Sequence, residues 1–169
     1  LSPLTTYHFR AVAYNNWGTS YGADASFTTL GKTNAELSDL LLSSGFDRLY
    51  FSPSFYPSCT NYSFSAENSL VSVEVCATRA DADATLQVRV NGSPFTPLTS
   101  GWPNWSGALA LDVGANLVEV LVTAQDGITT HTYSISVTRA EAPLPPASTT
   151  LPATSITANS AVLRGTVNP

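Results

Sequence analysis

Strict alternation of apolar and polar side chains over short segments is the feature that most constrains this fold. Two such segments lie on either side of the turn Asp126-Gly127, and each has three apolar residues at every second position. They are Val118, Val120 and Val122, then Tyr133, Ile135 and Val137. Because successive side chains of a strand point to opposite faces, the pattern predicts a hairpin with one buried face.

Further short segments show the same strand pattern. They are residues 5–14, 62–66, 71–77, 84–90 and 108–113. The one candidate for a helix, residues 35–43, is short and lies where a sandwich domain would begin with a strand. Many short strands separated by turns predict an all-β chain with immunoglobulin-like antiparallel β-sandwiches in a tandem array.

Composition excludes some functions. Charged residues make up 11% of the chain, against about a quarter in an average protein, and the net charge is −5. With no basic patch to neutralise phosphates, nucleic acid is not an expected partner. No apolar run is long enough for a membrane span in this segment.

The stretch 35–139 resembles the bacterial cadherin-like β-sandwich domain. The order and spacing of its motifs match over about a hundred residues, the length of one sandwich domain. The matching motifs are Leu37-Ser-Asp-Leu40, Phe51-Ser-Pro53, Ala84 to Gly92, Leu111 to Asn116, Thr123 to Gly127 and Thr132 to Arg139. The chain departs from the family's pattern in its two cysteines and in the insert 102–106.

Both flanks resemble parts of fibronectin type III domains. Residues 1–31 resemble the C-terminal strands, with Leu1 and Tyr7 fitting a tyrosine corner. Residues 152–169 resemble the N-terminal strands of a following domain, and the proline-rich residues 140–151 are interpreted as a stiff linker. The sequence thus predicts one central module between two partial ones.

The two cysteines are a disulfide candidate. If residues 62–66 and 71–75 form a hairpin about Glu67-Asn68, antiparallel pairing sets Cys59 opposite Cys76 on the outer face. A bridge of this kind would place the protein outside the cytosol. The alternative is two free thiols, one of them buried.

The loop with Trp102 and Trp105 is the candidate for ligand recognition. Two indoles beside Pro103 and Asn104 could stack on sugar rings, whereas the alternative is that they plug one end of the sandwich. The tripeptides beginning at Asn61 and Asn104 fit N-glycosylation, if the source organism glycosylates.

Two outward leucines are a candidate interface. Leu117 and Leu121 have the parity opposite to the buried valines, so they predict contact with a neighbouring module or another chain. The alternative is ordinary scattered exposure.

Catalytic and metal chemistry are not predicted. No serine sits in a strand–turn–helix elbow, and Asp81 and Asp83, even joined by Asp112 or Asp126, are more simply solvated carboxylates than a calcium site. We therefore expect no enzyme, no metal and no cofactor.

The sequence favours a structural or adhesive repeat unit of a secreted or cell-surface multidomain protein. Its expected partners are neighbouring modules or copies of the same protein, with which it could form a filament or appendage. The alternatives are a module that binds surface glycans and a non-catalytic spacer of a large secreted hydrolase. The predicted location is extracellular or the cell surface.

Overall fold

The computed structural model describes residues 1–45, 47–98 and 104–168, and within them every regular element is a β-strand. The first four are β1 (Thr6–Phe9), β2 (Val12–Asn15), β3 (Gly18–Tyr21) and β4 (Ala25–Thr28). The central strands are β5 (Leu37–Ser44), β6 (Asp47–Leu49), β7 (Asn61–Ala66), β8 (Ser72–Arg79), β9 (Thr85–Val90), β10 (Thr96–Pro97), β11 (Asn104–Trp105), β12 (Leu109–Ala110), β13 (Gly114–Thr123) and β14 (Thr130–Arg139). The last two are β15 (Ala147–Thr154) and β16 (Val162–Asn168).

The central strands form two sheets. One has the order β10-β9-β13-β14-β7, and the other has the order β11-β8-β5-β6, with β12 also paired to β8. The pairs are antiparallel except for β14 and β7, which run parallel. These sheets are the two layers of a sandwich.

The core lies between the two sheets and is built from alternate residues of each. Its largest fully buried side chains are Leu37, Leu40, Leu42, Val73, Val75, Val88, Val118, Val120, Val122, Tyr133, Ile135 and Val137. The predicted all-β sandwich is therefore confirmed, and the parity of the valines correctly identified the buried face.

The hairpin about Asp126 and Gly127 is also confirmed. Val120 pairs with Tyr133 across it, and Gly127 has a φ of 71°, which few side-chain-bearing residues adopt. The carboxylate of Asp126 accepts hydrogen bonds from the backbone N–H of Ile128 at 2.9 Å and of Thr129 at 2.8 Å. The side chain of Asp126 thus stabilises the conformation of the turn.

Of the segment 35–43, the one candidate for a helix, residues 37–43 lie in strand β5, where a sandwich domain was expected to begin with a strand. Leu40 and Leu42 are fully buried, and Leu41 between them is half-buried. Of the predicted strand 108–113, two residues are in strand conformation, Leu109 and Ala110. The predicted strand 5–14 is divided after Phe9, because its halves pair with different strands, β4 and β3.

The predicted hairpin between 62–66 and 71–75 is wrong. Tyr62 of β7 pairs with Ile135 of β14, whereas Val75 of β8 pairs with Leu42 of β5, so the two strands belong to different sheets. Both strands carry an apolar face, and each buries it towards the core from its own layer. The chain about Glu67 therefore crosses between the layers.

The flanking strands form separate two-stranded sheets: β1 with β4, β2 with β3, and β15 with β16. The backbone N–H of Ser2 donates to the Tyr7 hydroxyl at 2.7 Å, which is the tie that a tyrosine corner makes. Residues 147–151, assigned to the linker, instead form the first part of β15. Pro152 is accommodated there because the register shifts between Leu151 and Thr154.

Candidate functional site

The two cysteines are free thiols in the structure. Cys76 lies in β8 opposite Leu41 and is 1% exposed, and burial raises the pKa of its thiol to about 11. Cys59 packs at the edge of the core, where its thiol lies 3.4 Å from the carbonyl of Asn61. The disulfide prediction relied on a β7–β8 hairpin that does not exist, so its argument for an extracellular location falls with it.

Trp105 is brought onto the outer face of the sheet β11-β8-β5-β6. It lies opposite Cys76 of β8 and is half-buried. It lines a groove of about 330 Å³ together with Leu41, Leu42, Ser43, Gly45 and Arg48. Trp102, the other tryptophan of the predicted recognition loop, lies outside the described residues, so the pairing of the two indoles is untested.

The two glycosylation candidates lie on strands of different sheets. Asn61 begins β7 and is exposed, as expected, with its side-chain NH₂ donating to the Thr60 hydroxyl at 3.1 Å. Asn104 pairs with Ala77 through the backbone, and its side chain lies outside the described part of the chain. Whether either carries a glycan stays a prediction.

Leu117 and Leu121 lie on the outer face of β13, and the residues next to them, Asn116 and three valines, are buried. Leu117 is 39% exposed. Between them, Glu119 accepts a hydrogen bond from Nε of Arg89 at 2.7 Å. The guanidinium of Arg89 lies over the ring of Phe95, 4.3 Å from its centroid. The outward orientation is as expected, and contact with a partner stays a prediction.

The carboxylates of Asp81 and Asp83 are held by an ammonium group. Nζ of Lys32, the single lysine of the chain, lies 3.2 Å from Asp81 and 2.8 Å from Asp83. These hydrogen bonds, that to Asp83 first, raise the pKa of Lys32. Within the described residues, no group of three or more potential metal ligands is found.

The segment before the central module is also bound to it through the backbone. The carbonyl of Lys32 accepts from the N–H of Asp126 at 3.1 Å, and the N–H of Lys32 donates to Gln125. Gly31 approaches the same turn so closely that an added Cβ would lie 2.7 Å from Cα of Asp126. This contact was not predicted from the sequence. The one feature that could have indicated it is that the single lysine of the chain lies at a domain boundary.

A comparison with protein families identifies the central module. The model of the cadherin-like beta sandwich domain matches residues 35–140, more than half of the 169 residues. The chain belongs to the cadherin-like β-sandwich family. Domains of this class are typically non-catalytic and commonly extracellular. In the described part of the chain, no helix is long and apolar enough to cross a membrane.

Other comparisons add little. No curated protein matches the sequence. Among solved structures, the fibronectin(III)-like modules of CbhA from Clostridium thermocellum align over 82% of this chain and 65% of that chain. The identity is 15% and the TM-score 0.33, which is too low to indicate a function.

Two aspartates make the stability of the cadherin-like domain sensitive to acid. Hydrogen bonds from Thr129 and Ile128 lower the pKa of Asp126, and the backbone N–H of Asp83 and then Lys32 lower the pKa of Asp81. A carboxyl whose pKa is lower in the folded state stabilises that state above its ordinary pKa of 3.8. This stabilisation is lost as the pH falls from that value through the folded pKa.

We therefore expect the melting temperature to fall on acidification below the ordinary aspartate pKa of 3.8. Asp126→Asn should be less stable than the wild type at neutral pH, and its melting temperature should fall less steeply in acid. Thermal unfolding followed by circular dichroism across the acidic range measures both curves. Parallel curves for the two proteins would contradict the role of Asp126.

Proposed function

We propose that this chain is a structural and adhesive repeat unit of a secreted or cell-surface multidomain protein. The observation that carries the proposal is the match of residues 35–140 to the cadherin-like family, in a chain whose described regular elements are all β-strands. The flanking sheets pack against neighbouring modules or against other copies of the chain. Contacts between copies, repeated head to tail, build a filament.

The uncovered side chains lie on both sides of the cadherin-like domain. On the N-terminal sheets, Trp17 is 95% exposed and Tyr14 is 86% exposed. On the C-terminal sheet, Leu163 is 84% exposed and Val167 is 71% exposed. A two-stranded sheet is marginally stable by itself, so the burial of these residues in a contact stabilises both the sheet and the contact.

The central module supports a mechanical role. Lys32 and Gly31 bind the preceding segment to the turn at Asp126, which limits how far the N-terminal sheets can swing relative to the module. A sandwich with an ordered entry segment keeps a defined spacing between its neighbours. A protein that extends from a surface and attaches to a partner needs such a spacing, and it does not need a catalytic site.

Sedimentation velocity of the whole chain over a wide range of concentrations tests the proposal. We expect concentration-dependent association that weakens when Trp17 or Leu163 is replaced by serine, because each change removes apolar area from the contact. The matched control is Ile128→Ser, since Ile128 is 84% exposed on the turn of the central module. A monomer at all concentrations would contradict contact between copies, and equal weakening by the control would contradict the role of the flanking sheets.

A further inference from the structure

The outer face of the sheet β11-β8-β5-β6 carries two adjacent rows of different chemistry. Backbone pairing aligns Arg48, Ser43 and Glu74 in a polar row across β6, β5 and β8. Two residues away along β5 and β8, Leu41 and Cys76 lie on the same face. With Trp105 of β11 they form an apolar row. A molecule lying on this face would meet apolar surface on one side and polar groups on the other.

The groove lies where these two rows meet. Its volume of about 330 Å³ reaches the range of small-molecule sites in proteins. Leu41 and Trp105 supply its apolar lining, and Ser43 and Arg48 supply its polar lining. The guanidinium of Arg48 lies over the ring of Tyr50, 5.6 Å from the centroid, and this stacking restrains its position at the rim.

Ser43 is the observation that points to a ligand. It is 3% exposed, and among the described residues its hydroxyl oxygen has no hydrogen-bond partner. Buried hydroxyl groups in folded proteins nearly always have a partner, so an unsatisfied one calls for an explanation. A hydroxyl group of a ligand in the groove that Ser43 lines would supply the missing hydrogen bond.

We propose that this groove binds a neutral pyranose unit of a glycan. A pyranose ring has a face of C–H groups, which would pack on the indole of Trp105 and on Leu41, and an edge of hydroxyl groups. Those hydroxyls would accept hydrogen bonds from Arg48 and exchange them with Ser43. The site lies on the outer face of the sheet and includes Trp105, one of the two tryptophans of the loop that the sequence suggested.

The charges of the polar row select a neutral sugar. Arg48 and Glu74 lie on either side of Ser43 and together contribute no net charge. An anionic ligand would meet Glu74, and a cationic ligand would meet Arg48. A long acyl chain would exclude water from the polar row. The hydrogen bonds that these polar groups make to water would then be lost and not replaced, which is unfavourable.

Titration of the whole chain with neutral hexasaccharides tests the proposal. The probes are β-1,4-linked glucose, xylose, mannose and N-acetylglucosamine oligomers, and hexagalacturonate is the anionic comparison. We expect at least one neutral probe to shift the backbone amide NMR signals of β5, β6 and β8. The dissociation constant should be on the order of 1 mM, as for a small weak site.

Three variants and one control variant locate the site. Arg48→Ala and Ser43→Ala should each weaken binding, the first about tenfold. The matched control is Arg10→Ala, because Arg10 also stacks on a tyrosine, 4.1 Å from the Tyr21 ring centroid, but lies in the N-terminal unit. It should leave binding unchanged. Trp105→Ala should abolish binding, and its amide spectrum shows whether the fold is kept.

Three results would overturn the proposal. They are no binding of any neutral probe at about 10 mM, binding of hexagalacturonate alone, and binding that Arg48→Ala and Ser43→Ala leave intact. The proposed site goes beyond the structural role and does not depend on it. Arg48→Ala should leave sedimentation unchanged, so failure of one proposal is distinguishable from failure of the other.

Discussion

Asn116→Ala is expected to destabilise the central sandwich by about 3 kcal/mol, because it leaves several buried backbone groups without partners. The Asn116 side chain is 4% exposed. Its oxygen accepts from the N–H of Asp112 at 2.8 Å and from the side chain of Asn91 at 2.9 Å. Its NH₂ group donates to the carbonyls of Asp112, Gly114 and Val137 at 2.8, 3.1 and 3.4 Å.

Urea denaturation followed by tryptophan fluorescence measures the loss. Asn116→Asp should be at least as unstable at neutral pH, since a carboxylate would face three carbonyl oxygens in a buried position. The matched control is Asn61→Ala, which removes an exposed amide from the same module and should change stability by less than about 0.5 kcal/mol. Similar midpoints for Asn116→Ala and Asn61→Ala would show that the network does not support the fold.

The alternation of side chains was enough to predict which face of β13 and of β14 is buried. The parity of Val118, Val120 and Val122 identified their core position, and it also identified Leu117 and Leu121 as outward. Parity depends on backbone geometry alone, since successive side chains always point to opposite faces. It is therefore readable without knowledge of the partner strand.

Alternation alone did not identify the partner strands of β7 and β8. The segments 62–66 and 71–77 have the pattern of two hairpin strands, but each buries its apolar face from a different sheet. Short connections favour hairpins, and crossing between layers satisfies the same pattern of burial. The predicted opposition of Cys59 and Cys76 failed for this reason.

More than any other feature of the molecule, the candidate groove depends on which strands pair with each other. Arg48, Ser43 and Glu74 are far apart in the sequence and become one row through the pairing of β6 with β5 and of β5 with β8. Trp105 joins them through β11. A single sequence shows Trp105 as an aromatic residue in a turn-rich segment, and it does not show which face that residue reaches.

Three consecutive leucines in β5 give the sharpest test of the strand itself. We expect Leu40→Ala and Leu42→Ala each to cost about 3 kcal/mol, since both side chains are fully buried and the change leaves a cavity. Leu41→Ala should cost about 1 kcal/mol or less, because Leu41 is half-buried on the outer face. Urea denaturation of the three variants at neutral pH measures the series.

The order of the three losses separates a strand from a helix. On a helix, consecutive residues are about 100° apart, so the middle leucine of a buried face would be the most buried of the three. On a strand, the middle leucine points away from its two neighbours. The largest loss at Leu41 would therefore contradict β5, and with it the layer that positions Ser43 and the groove. A smaller loss at Leu41 than at both neighbours is the result that a sandwich core requires.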